Sequence, residues 1–356
     1  MKSKVYFISL SPVDNLQTIN QKLEKLLAQS ALFSYVKKDD ALVVKVHFGE
    51  EGNTGFVLPE HLRVICADII KQGATACLSD ANTLYRGRRL NSQDHWKLAQ
   101  EHGFTKETTG VEVVIPDDTQ DKEVIDVQIN QKFIQHAKLA RLFVDAKSLA
   151  VVSHFKGHIL TGFGGALKNV GMGCASRAGK LAQHCDVAPV VHVDRCIGCG
   201  ECEKICPVKA IHLENKKSVV DVKKCIGCAS CLGVCPTMAM FIDFAAGDKV
   251  QNKMAEYSLA VLKNKKGKVG FINFANKINK ECDCWGMENP RIAPDVGIFA
   301  SPDPVSIDKA CFDLVNHACG KDIFKATHPE QDGLKQLKYS QEIGLGNLDY
   351  ELIEVR

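Results

Sequence analysis

Residues 191–211 read VHVDRCIGCGECEKICPVKAI, and residues 220–240 read VDVKKCIGCASCLGVCPTMAM. The two stretches are copies of one unit at an offset of 29 residues. Each carries Cys-x2-Cys-x2-Cys-x3-Cys-Pro: Cys196, Cys199, Cys202, Cys206 and Pro207, then Cys225, Cys228, Cys231, Cys235 and Pro236. Three thiolates this closely spaced can wrap one corner of a metal–sulfur cubane. Gly198 and Gly227 let the backbone approach inorganic sulfide. A proline after the fourth cysteine suits the first turn of a helix, where its missing N–H costs little. Short helices are therefore expected at Val208 to Ala210 and Thr237 to Ala239. Zinc competes for clustered cysteines, but zinc ribbons use paired Cys-x2-Cys motifs rather than four-cysteine runs ending in proline.

The runs resemble those of two-cluster bacterial ferredoxins. That resemblance implies two 4Fe–4S clusters, with the first three cysteines of each run on one cluster and the fourth on the other. Cys196, Cys199, Cys202 and Cys235 would hold one cluster. Cys225, Cys228, Cys231 and Cys206 would hold the second. All eight repeat cysteines are then used, neither cluster keeps an open iron, and both act as wires for single electrons at low potential. The Cys-x3-Cys-x2-Cys of radical-initiating sites does not occur.

The whole chain has 356 residues, 45% of them hydrophobic and 24% charged, with a net charge of +3. Two domains fit that length, and the core needs no disulfide staples. The charge is too balanced to argue for nucleic acid. No apolar run reaches the roughly 18 residues of a membrane span, and the N-terminal MKSKVYFISLSPVDN reads as a buried strand rather than a signal peptide. Sixteen cysteines without a secretion signal point to metal ligation in a reducing cytoplasm. No nucleic-acid or membrane partner is expected.

Outside the repeats, strand patterns alternate with helical ones. Val5–Ile8, Ala41–Val46, Ala74–Ser79, Val111–Ile115, Lys147–Ser153, Val269–Phe274 and Val296–Ala300 read as strands. Leu16–Phe33, Leu58–Lys71, the stretch around His95–Glu101, Met254–Lys263 and Ser306–His317 read as helices. The fold class is α/β, a mainly parallel sheet layered with helices, interrupted by a small ferredoxin-like α+β module. The division expected is a discontinuous α/β domain at 1–187 and 246–356 around a module at 188–245. Asp117–Asp126 is polar and reads as a loop.

Open parallel sheets bind ligands beyond the carboxyl ends of their strands, and unusual residues gather there. Lys45 and His47 share one strand face. Asp80 and Asn82 follow the third strand, with Arg86, Arg88 and Arg89 close behind. His154, Lys156 and His158 lead into Gly162-Phe163-Gly164-Gly165 and then Lys168 and Asn169. Histidines four apart can ligate a metal or work as base and orienter. The glycine-rich loop could cradle an anion on its N–H groups or pack helix on sheet; it has neither a P-loop ending nor a third dinucleotide-site glycine. Cys282 and Cys284 could bind an additional metal ion or act in redox chemistry. Cys174 and the His184–Cys185 pair carry a weaker signal, while Cys66, Cys77, Cys311 and Cys319 fit the core.

The segments KVHFGEEGN, SHFKGHILTGFGGALKN, ECDCWG and PDVGIFASPDPVSID together resemble the family called domain of unknown function 362, some members of which carry an inserted ferredoxin module. The resemblance spans most of the chain and implies a shared fold and site. The reading is a ferredoxin-fed oxidoreductase of anaerobic metabolism. Its clusters take electrons from a redox partner protein and serve a catalytic site of Lys45, His47, Asp80, His154, Lys156, His158, Lys168 and Asn169, which binds an anionic small molecule. The alternatives are a non-catalytic electron carrier and a metal-handling or maturation protein.

Overall fold

The structure, a computed structural model, describes residues 2–84, 86–116, 123–184, 188–242 and 249–356. Its centre is an eight-stranded sheet. From one edge to the other the strands are Tyr350–Glu354, Ser3–Ser9, Gly297–Ser301, Val269–Ala275, Ser148–His154, Ala41–Lys45, Thr75–Ser79 and Glu112–Val113. Gly297–Ser301 runs against its two neighbours, and every other pairing is parallel. The two middle strands, Ser148–His154 and Val269–Ala275, are buried along their whole length, as continuous apolar runs between two helical layers require.

Alternation along the strands separates two cores. Leu42, Val44, Val152, Ile272 and Phe274 face the helices Leu16–Ser30 and Pro59–Lys71. Val43, Val151, Phe271 and Phe299 face Ala166–Gly171, Val250–Leu262 and Pro304–Cys319. Asn15 caps the first of these helices through a bond from Thr18 N–H, and Pro59 opens the second. Cys66 and Cys311 lie in the two cores.

Val269–Ala275 pairs directly with Ser148–His154, so the sheet is continuous across the cysteine repeats. Within the repeats, Val190–Val191 pairs with Met240–Phe241, and Ile211–Glu214 with Lys217–Val220.

Two expectations change. Asp117–Asp126 is not loop throughout: residues 117–122 lie outside the described residues, but Val124–Gln128 is a strand paired antiparallel with His136–Ala140. Val127 and Ala137 carry that hairpin onto the core despite its polar composition. The helices expected after the prolines are turns instead. Lys209 and Met238 take left-handed backbone, φ 50° and 52°, which stops a helix. The following N–H groups then fold back: Ala210 donates to Cys206 Sγ at 3.2 Å and Ala239 to Cys235 Sγ at 3.1 Å. Helices do form one step earlier, at Glu201–Ile205 and Ser230–Val234.

Candidate functional site

The eight repeat cysteines line two cavities. Cys196, Cys199, Cys202 and Cys235 border one, together with Ser218 and Thr237. Cys206, Cys225, Cys228 and Cys231 border the other. The fourth cysteine of each run thus sits with the first three of the other run. Gly198 has φ +68°, and a Cβ there would lie 2.4 Å from the Lys216 carbonyl oxygen, so this close turn admits glycine alone.

The second cavity abuts the sheet domain. Ala229 packs with Leu84, Leu181 and Ile242; Arg177 donates to the Ala229 carbonyl at 3.1 Å, and Arg86 to that of Pro236 at 3.1 Å. The three neighbouring arginines therefore part company. Arg86 holds the module, Arg88 pairs on the surface with Glu101, and Arg89 turns inward to Glu50 at 3.2 Å and Asp80 at 3.4 Å. Arg86 and Arg89, three residues apart, thus reach the module and the strand ends respectively.

At the strand ends, parallel register sets Lys45 beside Ser79 and Val151, and His154 beside Phe274. Lys45 Nζ meets Asp80 at 2.8 Å and donates to Asn169 Oδ1 at 2.7 Å. Asn169 in turn donates to the Val152 carbonyl at 2.8 Å and Ser153 Oγ at 3.0 Å. Burial alone would raise the Asp80 carboxyl, but Lys45, His47, His95 and Arg89 around it hold it well below the usual carboxylate range. Gly173 makes room for this pair, since a Cβ there would lie 2.2 Å from the Asn169 carbonyl and 2.6 Å from Lys45 Nζ. Gly173→Ala is expected to destabilise the protein by about 1–3 kcal/mol through this overpacking, read as a lower denaturant midpoint; an unchanged midpoint would show that the ammonium has space to move.

A second carboxylate, Asp283, lies between the two cysteines of Cys282-Asp283-Cys284. It is 2.9 Å from His154 Nδ1 and 3.1 Å from Lys156 Nζ. His154 Nε2 faces the Asn276 carbonyl at 3.0 Å. Both ring nitrogens thus face acceptors. Lys156 also donates to the His154 carbonyl at 2.7 Å. Burial opposes ionisation of Asp283, and His154 and Lys156 more than offset it.

Lys168 Nζ donates to Cys282 Sγ at 3.4 Å, and Cys282 Sγ is 2.7 Å from Cys284 Sγ. His158 accepts at Nδ1 from Leu160 N–H at 3.1 Å and also bonds Cys282. Contact with Cys284, then Lys168 and His158, holds the Cys282 thiol well below its ordinary range despite burial. Burial, with Lys168 nearby, lowers His158 to about 4, so it is neutral at pH 7. His47 is lowered to about 3, chiefly by burial and then by Arg89. One ring nitrogen of His47 and the sulfurs of Cys282 and Cys284 lie within 4.8 Å of one another. His47, Lys168, Asn169 and Cys284 are half-buried, whereas Lys45, Asp80, His154, Cys282 and Asp283 are buried.

The strand-end residues named from sequence thus fall into three adjoining groups, around Asp80, Asp283 and Cys282, with His47 near the two cysteines. Lys45 and Lys156 meet carboxylates of the chain itself, and Lys168 meets a sulfur. The glycine-rich loop holds no free anion cradle: the N–H groups of Ala166 and Leu167 donate to Asp308 at 2.7 and 3.0 Å, and Asn273 bonds the same carboxylate at 2.7 Å. The loop packs helix on sheet. Burial raises Asp308 from 3.8 to about 6 despite these bonds. Between those values the native state keeps a proton that the unfolded chain releases, so stability falls as pH rises through the window. Asp308→Asn is expected to flatten that slope in denaturation curves taken from pH 4 to 7; an unaltered slope would place the proton elsewhere. Asp283, Glu50 and Asp308 went unassigned in the sequence. The signal available for Asp283 was a carboxylate set between two cysteines, which needs a cationic partner once buried. Cys174 is buried in the core, where burial pushes its thiol to about 12; Cys185 lies outside the described residues.

Comparison with known proteins agrees with both parts. Over 30 residues the chain is 53% identical to Ferredoxin-2 of Desulfomicrobium norvegicum, 8% of this chain and 51% of that protein. The chain thus spans about half the length of this relative, and iron–sulfur binding is assigned to the repeats. A protein of Thermotoga maritima aligns at TM-score 0.43 and 13% identity, over 86% of this chain and 59% of that one. The lactate racemase apoprotein of Thermoanaerobacterium thermosaccharolyticum aligns at TM-score 0.37 and 14% identity, over 70% and 48%. Neither likeness speaks to this chain's chemistry. The family described as Domain of unknown function (DUF362) matches residues 42–313, well over half of the chain: this protein belongs to that family and carries a ferredoxin-like module within the matched span.

Proposed function

We propose that this protein is an iron–sulfur oxidoreductase that passes single electrons from a redox partner protein, through two 4Fe–4S clusters, to the strand-end site of its α/β domain. The observation that carries this reading is the sharing of the fourth cysteines: Cys235 borders the cavity of Cys196, Cys199 and Cys202, and Cys206 that of Cys225, Cys228 and Cys231. Those two sets fit two cubanes and are the proposed ligands. The clusters supply one-electron storage and transfer.

The chain's own residues give the transfer a direction. Ile197 lines the first cavity and is 66% exposed, and Val193 nearby is 55% exposed, which suits contact with a partner protein. The second cavity is lined by Ala229, which packs against Leu84 and Leu181 of the α/β domain. At the site, Asp80 and Asp283 already balance Lys45 and Lys156. Lys168 is half-buried and faces sulfur, so it is the lysine placed to meet a carboxylate or phosphate of a small-molecule substrate, with Asn169 beside it. The module is taken as 188–245 and the α/β domain as 1–187 with 246–356, in a reducing cytoplasm. Among the described residues no helix is long and apolar enough to cross a membrane.

Anaerobic preparation is expected to give about eight irons per chain, with two interacting spins in the electron paramagnetic resonance of the reduced protein. Four irons, or zinc in their place, would refute the two-cluster reading.

A further inference from the structure

The pair Cys282 and Cys284 offers a choice between metal binding and thiol chemistry, and three observations bear on it. First, the sulfurs are 2.7 Å apart. Two thiolates on one tetrahedral zinc, each about 2.3 Å from it, would stand ~3.7 Å apart, whereas a disulfide bond is about 2.05 Å. Second, the Lys168 ammonium is 3.4 Å from Cys282 Sγ. A fixed positive charge there favours a thiolate and opposes a second cation. Third, Gly49 N–H donates to His47 Nδ1 at 2.9 Å. That bond uses the Nδ1 lone pair, so neutral His47 carries its proton on Nε2, which finds no partner. A ring in this tautomer offers no lone pair at Nε2 for a metal. His158 is held the same way by Leu160 N–H, leaving its Nε2–H for Cys282.

We propose that Cys282 and Cys284 form a dithiol–disulfide couple, with Cys282 as the thiolate and Cys284 as the thiol of the reduced form. On oxidation the Cys282–Cys284 bond forms, two electrons leave, and the Cys284 proton is released. On reduction that bond breaks: two electrons arrive one at a time from a reduced iron–sulfur donor, and one proton is taken up at Cys284. Lys168 and His158 stabilise the charge left on Cys282. Half-burial of Cys284 gives the proton access to solvent. Two one-electron centres feeding one two-electron couple would match the stoichiometry. The electron source rests on the proposed function; the couple itself does not.

Trypsin isolates both cysteines in the single peptide Glu281–Arg291. Iron-loaded protein is equilibrated anaerobically in graded mixtures of reduced and oxidised dithiothreitol, quenched with an alkylating agent, digested and weighed. The peptide is expected to pass from doubly alkylated to unalkylated and two hydrogens lighter across one midpoint. Lys168→Met is expected to shift that midpoint toward the disulfide, by about tenfold in the dithiol ratio if the ammonium is worth one unit of thiol acidity. A peptide that stays doubly alkylated throughout overturns the proposal. So does a stoichiometric metal beyond the cluster iron that is lost in Cys282→Ser. Reduced methyl viologen, a one-electron donor, is expected to open the disulfide in iron-loaded protein; if dithiothreitol opens it and viologen does not, the electron feed fails and the couple stands.

Discussion

Asp283→Ala is expected to destabilise the protein by about 3–5 kcal/mol, the usual result of removing one partner from a buried ion pair. The loss is large because two groups are stranded at once: His154 at 2.9 Å and Lys156 at 3.1 Å are both buried, and each forms its ion pair with Asp283. Asp283→Asn keeps the shape and one acceptor oxygen and should lose less. Urea denaturation of the iron-loaded protein measures both, and a loss below about 1 kcal/mol for the alanine variant would show that water reaches and solvates the two stranded groups. The pH dependence has a definite sign. The Asp80 and Asp283 carboxyls are held below their ordinary 3.8, so their stabilisation is complete at neutral pH and disappears as pH falls from that value toward their depressed ones. Asp308, raised to about 6, acts in the opposite sense.

Exchanging one sulfur for oxygen at Cys206 is expected to empty the far lobe rather than its own. Cys206 borders the cavity of Cys225, Cys228 and Cys231, so Cys206→Ser should strip or convert that cluster, taking up to about four irons with it. The cluster of Cys196, Cys199 and Cys202 should survive. Cys235→Ser should do the reverse, since Cys235 borders the other cavity. Iron analysis combined with electron paramagnetic resonance of each reduced variant reads the result: one isolated spin should replace the interacting pair. If each substitution damages only the cluster of its own repeat, the ligand sets are local and the crossed arrangement is wrong.

Much of this architecture was legible because it rests on local pattern. Leu149 to Val152 form an uninterrupted apolar run, and so short a run ending in two β-branched valines reads as a strand buried on both faces. The repeat cysteines were legible for the same reason, since ligand spacing is written in adjacent residues. What escaped was long-range. Lys45 and Asp80 were named at one site and do pair, but Lys156 and Lys168 looked like excess charge awaiting a ligand because their partners lie far along the chain. Lys156 meets Asp283, and Lys168 meets Cys282, 114 residues away. The glycine-rich loop misled similarly, because the anion on its N–H groups is Asp308, 142 residues from Ala166. The turns after Pro207 and Pro236 failed for a local reason that proline rules do not contain: the cysteine sulfurs capture the N–H groups that a helix would have used.

The adjacency of Ser148–His154 and Val269–Ala275 also imposes a schedule on synthesis. Some 115 residues separate the two strands in the chain, and ribosomes deliver about 5–20 residues per second. For roughly 6 to 23 seconds, one edge of Ser148–His154 waits for its neighbour while the repeats emerge. Throughout that interval a strand with no exposed residue in the finished protein presents unpaired N–H and C=O groups, the situation that invites wrong pairing. The same interval is when the repeat cysteines first become available to iron and sulfide.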